Sequence, residues 1–423
     1  MEMHTQATQE KKQLWIILFI VLISFIGSSI AYPIFPPLFL QSTDQLIISP
    51  EWSDTSRRIL LGLTLAIFPL GQFIGSPILG RNSDIYGRKK ILVISLVGSL
   101  LGYVLTVIAF GTHCFWLLLF SRFLTGFMEG TFAVARAFAT ELTTINKFVS
   151  FGRINTMAGI GYIIGPIIGG LLSNSNIVPW FSWSFPFTFA ALASITTLGF
   201  AWWKLPEHKI LHQPEKESIL SQLNIIRQFK LLFLNHPHLI HLLIISTLFT
   251  FAVDMFYEFG PVYLAGKWHM SPGMIALYNG ALSAALALGA SWLPYHLSKR
   301  LSIHKIITLA MLSTALIFAA MLAFQYPLTM FLFFALIGFS ITSVTTTMTI
   351  HISNMSHTAI QGEVMGAQLS LRTLGDAIIC FSGGLLIVLS ISLPIIICCI
   401  TALIASFMCF LYLKPTVVNK HGH

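Results

Sequence analysis

Long apolar runs separated by short polar joints dominate the chain. Runs of membrane-spanning length fall at about 14–40, 57–79, 91–110, 114–140, 150–173 and 183–203, and resume at about 239–262, 273–297, 303–324, 327–350, 363–388 and 391–413. A bilayer core needs about 20 apolar residues, and backbone groups in lipid must be satisfied within their own segment, so each run is predicted to be a helix. The pattern therefore predicts an all-α membrane protein of twelve transmembrane helices. An N-terminal six-helix bundle covers 1–203, a central loop covers 204–238, and a C-terminal six-helix bundle covers 239–423. The first run is too long for a signal-peptide core and lacks an A-x-A cleavage site, which makes it an uncleaved first helix. Within the central loop, Ile219, Leu220, Leu223, Ile226 and Leu231 recur with helical spacing. They predict a short amphipathic helix at the membrane surface over about 217–234.

Composition agrees with this pattern. Of 423 residues, 55% are hydrophobic and 9% charged, where a soluble chain carries about 25% charged residues. The net charge of +9 is spread over alternating loops rather than one soluble face, so it signals membrane orientation and not nucleic-acid binding. One set of loops holds Lys11, Lys12, the Arg81–Lys90 cluster, Lys147, Arg153, Lys204, Lys209, Lys216, Arg227, Lys230, Lys299, Arg300, Lys305, Lys414 and Lys420. The other set holds only Arg57, Arg58 and Lys267. Both termini and the central loop are expected on the cytoplasmic side. The five cysteines give neither a disulfide framework nor a metal spacing. His236, His238 and His241 sit at a helix start and are read as interfacial; His351 and His357 are likewise not read as metal ligands. No phosphate-binding loop and no nucleophile motif is present, which argues against an ATP-driven pump and against an enzyme.

Two patterns go further. The fifth and eleventh runs repeat: Gly152, Gly161, Gly169 and Gly170 match Gly366, Gly375, Gly383 and Gly384 at a constant offset of 214 positions. Between the second and third runs stands Gly80-x-x-x-Asp84-x-x-Gly87-Arg88-Lys89-Lys90. Gly80 and Gly87 allow a turn there, and the adjacent cations hold the joint on the cytoplasmic side. Residue types, spacing and helix number together resemble the signature loop of the major facilitator superfamily of secondary transporters. That resemblance implies two six-helix halves related by a pseudo-two-fold axis, with the substrate site between them near the midplane. It also implies a cytoplasmic gate in which Asp84 meets the start of the eleventh helix near Gly362 and Glu363, and Arg88 pairs with Glu141. The corresponding joint of the second half, Leu297–Lys305, lacks both the Asp and the Gly.

The fifth run carries Gly161, Gly165, Pro166, Gly169 and Gly170, which resemble the antiporter motif of the superfamily's proton-driven drug and metabolite exporters. Small residues four apart open a smooth face for close helix approach, and Pro166 removes a backbone donor. In the fourth run, Arg122, Glu129 and Arg136 recur every seven residues, so they would share one helix face at steps of about 10.5 Å. Arg122 to Gly126 resembles the family's fourth-helix motif, whose Arg is implicated in proton coupling, although Thr125 stands where Gln is usual. Asp254 and Glu258 in the seventh run lie one turn apart, and neighbouring carboxylates in a low-dielectric site resist ionising together. Glu258 is placed near the periplasmic end by the run's boundary at 262. In the eleventh run, Arg372 and Asp376 have the spacing of an ion pair within one helix. Charges inside membrane helices mark pathways.

The expectation is thus a proton-coupled secondary transporter that exports a small organic molecule, a drug or metabolite, by alternating access. Its partners would be substrate, protons and lipid, with no nucleic acid and no cofactor beyond the proton gradient. It would work as a monomer in the bacterial inner membrane. Two alternatives stand beside it: proton symport of an organic anion or siderophore, suited to Arg122, Arg136 and Arg372, and a transporter-like receptor that moves nothing.

Overall fold

The computed structural model describes residues 2–41, 52–142, 144–145, 147–175, 177–206, 237–324, 326–355 and 361–412. The amphipathic helix expected at 217–234 lies outside them, as do His236 and His357. Every regular element among the described residues is a helix. They are α1 (Glu2–Ser29), α2 (Phe35–Leu40), α3 (Asp54–Tyr86), α4 (Arg88–Thr112), α5 (Phe115–Phe127), α6 (Thr131–Glu141), α7 (Lys147–Leu172) and α8 (Phe185–Lys204), followed by α9 (Pro237–Trp268), α10 (Pro272–Ser298), α11 (Ile303–Ala323), α12 (Pro327–Met355), α13 (Gln361–Leu389) and α14 (Leu393–Tyr412). Ten helices among the described residues are long and apolar enough to cross a membrane, and two shorter apolar helices, Thr156–Leu172 and Leu374–Leu389, accompany them. These stretches coincide with the twelve runs of the sequence.

Four boundaries differ from the hydropathy pattern, each for a local reason. The first run breaks after Ser29 and restarts as α2, with proline at the start of the new helix, where a missing N–H breaks no helical bond. Between the second and third runs, α3 continues to Tyr86, so Gly80 lies inside a helix rather than in a turn. The chain reverses at Gly87 alone, whose φ of 98° is a backbone conformation open mainly to glycine. The fourth run is interrupted at Met128–Gly130, so Arg122 sits on α5 and Arg136 on α6, and the seven-residue stripe does not run along one helix. There the Glu129 N–H donates to the Gly126 carbonyl at 3.0 Å, three residues back instead of four, in a stretch flanked by two glycines of poor helix propensity. Finally, α9 extends to Trp268, which places Glu258 about 15 Å inside the helix end and not at the periplasmic margin.

The chain forms two compact units, Met1–Leu223 with His269–Ala276, and Asn224–Trp268 with Leu277–His423. In the first, Leu14, Ile17 and Val21 of α1 meet Ile91 and Leu96 of α4, Phe138 of α6, Ile154 of α7 and Ala201 of α8. The opposite faces stay apolar too: Leu101, Ile108, Leu192 and Ile195 are exposed, as lipid-facing positions must be. Lipid tails compete equally for such side chains, so close packing and small residues hold the helices together. Gly71 and Gly75 of α3 lie against the backbone of Phe123 and Phe127, and Gly126 of α5 against that of Phe68. At the start of α7, Glu10 Oε2 of α1 accepts from the Thr144 N–H at 2.8 Å and from its hydroxyl at 2.6 Å. Hydrogen bonds to a charged group contribute about 1.5–3 kcal/mol. Glu10→Ala should lower thermal stability in detergent by an amount near the bottom of that range, with Glu10→Gln retaining part of it.

In the second unit, the Phe256 ring of α9 packs between Phe318 of α11 and Phe334 of α12, with centroids 5.2 and 4.9 Å away. The Tyr278 hydroxyl donates to the Pro327 carbonyl at 2.9 Å, and the Ser406 hydroxyl of α14 donates to the Thr308 carbonyl of α11 at 3.0 Å. The repeat in sequence is a repeat in packing: α7 lies on α1 in the first unit, and α13 lies on α9 in the second.

Candidate functional site: charged clusters inside the membrane helices

Arg122 of α5 is 5% exposed, with its guanidinium carbon 4.6 Å from the Phe68 ring centre and 5.3 Å from that of Phe35. Desolvated guanidinium groups gain about 2 kcal/mol from such ring faces. Glu129 is buried at the break between α5 and α6, held by a hydrogen bond with Ser28 of α1 and by the charge of Arg122. The Tyr103 hydroxyl of α4 lies against Gly27 and within the field of both charges. Glu129 thus lies at the break with Ser28 and Arg122 as its neighbours. Arg136 stacks over Phe132 at 4.3 Å and is half-buried.

Gly161, Gly165 and Gly169 of α7 face the first run, whereas Gly170 faces Pro272 and Ala276. A side chain at Gly161 would meet Phe25 Cβ at 2.6 Å, one at Gly165 the Ile26 carbonyl oxygen at 2.6 Å, and one at Gly169 the Ile30 carbonyl oxygen. The Ser29 hydroxyl donates to the Phe25 carbonyl at 2.6 Å and lies 3.2 Å from the Gly161 carbonyl. The face expected from Gly161, Gly165 and Gly169 is thus occupied by α1, with Pro166 inside the helix beside it.

In the second unit, Asp254 of α9 is paired with Arg372 of α13. Arg372 Nε donates to Oδ2 at 3.1 Å and Nη2 to Oδ1 at 2.8 Å, a bidentate geometry. The bidentate partner of Arg372 is therefore on another helix, and is not the Asp376 one turn along its own. The Asp254 side chain is 7% exposed and that of Arg372 47%, so the guanidinium opens into a cleft lined by Thr247, Thr250, Phe251, Gly375 and Ile379. Asp376 lies in the field of Asp254, Arg372 and Glu258, within hydrogen-bonding reach of Asp254. Its Oδ1 is buried without a hydrogen-bond partner among the described residues. Tyr257 stands beside the pair.

At the Gly87 turn, Arg88 Nη1 donates to the Ser83 hydroxyl at 2.6 Å. The side chains of Asp84, Glu141 and Glu363 lie outside the described residues. Among the described residues no group of three or more His, Cys, Asp or Glu is placed to hold a metal. The sequence singled out every charged member of both clusters but missed Ser28, Tyr103 and Tyr257. Nothing in their spacing marks them, since one hydroxyl among apolar neighbours is an ordinary helix residue. Gly71 and Gly75 were missed too, although their four-residue spacing is a readable packing signal.

Apolar helices in two units, with charged residues and an ion pair sunk among them, define a polytopic membrane protein. The chain belongs to the Major Facilitator Superfamily, whose model matches residues 17–379. It is 36% identical over 183 residues to the tetracycline resistance protein, class H, of Pasteurella multocida, covering 43% of this chain and 41% of that one. The chain thus spans about two-fifths of the length of the tetracycline-resistance relative it matches. Multidrug resistance protein 2 of Bacillus subtilis (strain 168) is 26% identical over 419 residues, 98% of this chain and 97% of that one. A solved D-xylose-proton symporter superposes with a TM-score of 0.76 at 12% identity, over 96% of this chain and 98% of that one, which establishes the shared fold.

Proposed function

We propose that this chain is a proton-coupled carrier that exports small organic molecules of the drug or metabolite type by alternating access. The observation that carries the proposal is the Asp254–Arg372 pair, set into membrane helices at the wall of a cleft. Ion pairs in that setting mark substrate or proton pathways. Support for the export direction comes from relatives named for tetracycline and multidrug resistance and from the Gly161–Gly170 motif. The carrier works as a monomer in a bacterial inner membrane with both termini in the cytoplasm, and the proton gradient is its energy source.

Everted membrane vesicles, acidified inside by respiration, test this directly. Vesicles containing the protein should accumulate tetracycline or ethidium, nigericin should discharge it, and Asp254→Asn should abolish the gradient-dependent part. Uptake seen only in right-side-out vesicles with acid outside would establish symport instead. No gradient-dependent movement in either orientation would overturn the proposal.

A further inference from the structure

Three carboxyls and one guanidinium share the second cluster, and the hydrogen-bond geometry tells them apart. Both oxygens of Asp254 already accept from Arg372, Oδ2 at 3.1 Å and Oδ1 at 2.8 Å. Asp376 lies within the field of that carboxyl, and its buried Oδ1 has no donor among the described residues. An ionised carboxylate only accepts, and burying one of its oxygens without a donor is costly, so the carboxyl with the orphaned oxygen is the one to carry a proton. Asp254 is already satisfied as an anion, which leaves Asp376 as the one to carry it. Among the described residues, Arg372 is the one cation whose charge acts on Asp376. On α9 the facing groups are Asp254, Glu258 and Tyr257; on α13 they are Arg372 and Cys380. α14 contains no charged residue.

Arg372 and Asp376 are one turn apart on α13, about 6 Å along the axis and within side-chain reach of each other. We propose that Asp376 is the proton-carrying residue of this carrier and that Arg372 is its switch, pairing with Asp254 while Asp376 is protonated and moving to Asp376 when the proton leaves. The step balances: the Asp376 O–H bond breaks, the proton leaves to water, and the new carboxylate takes over the guanidinium. Asp254 is left as a single uncompensated anion at the cleft. Reprotonation of Asp376 returns Arg372 to Asp254 and re-forms the tie between α9 and α13. This inference rests on the proton-coupled reading above and names the residue through which that coupling runs.

The test has one arm that needs no transport. Infrared difference spectra of the full-length protein in lipid, prepared with carbon-13-labelled aspartate, report the carbonyl stretch of a protonated aspartic acid and its disappearance as pH rises. The band should be present in wild type, Glu129→Gln and Glu258→Gln. It should be absent in Asp376→Asn, and absent also in Asp254→Asn, where Arg372 is free to pair with Asp376. The second arm uses everted vesicles loaded with tetracycline or ethidium. Asp376→Asn should retain exchange of external for internal probe while losing gradient-driven accumulation. A band that survives in Asp376→Asn, or gradient-driven accumulation that does, overturns the assignment. Should Asp376→Asn fail to accumulate in the membrane, Asp376→Glu decides: loss of the labelled band with an unlabelled protonated-carboxyl band in its place supports the role, and a labelled band that persists overturns it. Wild type lacking gradient-driven flux but showing the expected band pattern would remove the carrier function while leaving the proton on Asp376.

Discussion

Arg372→Ala should destabilise the second unit by about 3 kcal/mol, because removing one member of a buried pair strands the other. Asp254 is 5% exposed and has its two oxygens engaged by that one guanidinium. The figure is set at the lower end of the usual range because the Arg372 side chain is 47% exposed and already partly solvated. The double variant Arg372→Ala with Asp254→Ala should recover most of the loss, since two apolar replacements leave no stranded charge. Thermal unfolding of the four proteins in one detergent gives the cycle. A coupling of about 2 kcal/mol is expected, and additive losses would show that the pair does not hold α9 to α13.

The second large effect belongs to α7. Gly165→Leu should cost at least the roughly 1–3 kcal/mol of an overpacked interface, and more if α1 cannot retreat. Even the first added carbon would meet the Ile26 carbonyl oxygen at 2.6 Å as well as the Ser29 hydroxyl. Backbone cannot move aside as a flexible side chain can. Gly159, on the same helix, is the control, since a carbon added there meets nothing within 4 Å. Gly159→Ala should be neutral or stabilise by up to about 1 kcal/mol through helix propensity alone. Equal losses at both positions, measured as yield of folded protein and midpoint of unfolding, would mean that the glycine face is not what seats α7 on α1.

Hydropathy runs located the helices because lipid leaves the backbone no other solution. Their interruptions were harder to see. The break at Met128–Gly130 lies inside a run with no proline, and the same residue types continue helically elsewhere, so the division of Arg122, Glu129 and Arg136 between α5, the break and α6 left no trace in their spacing. Gly80 and Gly87 look equivalent in sequence, yet only Gly87 takes a positive φ. Charged site residues stood out because charge is rare in such a chain. Their partners did not, because Arg372 reaches Asp254 across 118 positions, whereas spacing arguments see only one turn. Hydroxyls such as Ser28 and Tyr103 carry no pattern at all.

The contact between α1 and α7 also bears on how the chain is made. Ser29 and Gly161 are 132 positions apart, and a ribosome adding 5–20 residues each second needs roughly 7–26 s to bridge that interval. For that time α1 must reside in lipid with its future partner unsynthesised. Its hydroxyls are suited to the wait. Ser28 and Ser29 both donate to the Phe25 carbonyl of their own helix, at 3.2 and 2.6 Å, so neither hydroxyl is left without an acceptor before the glycine face arrives.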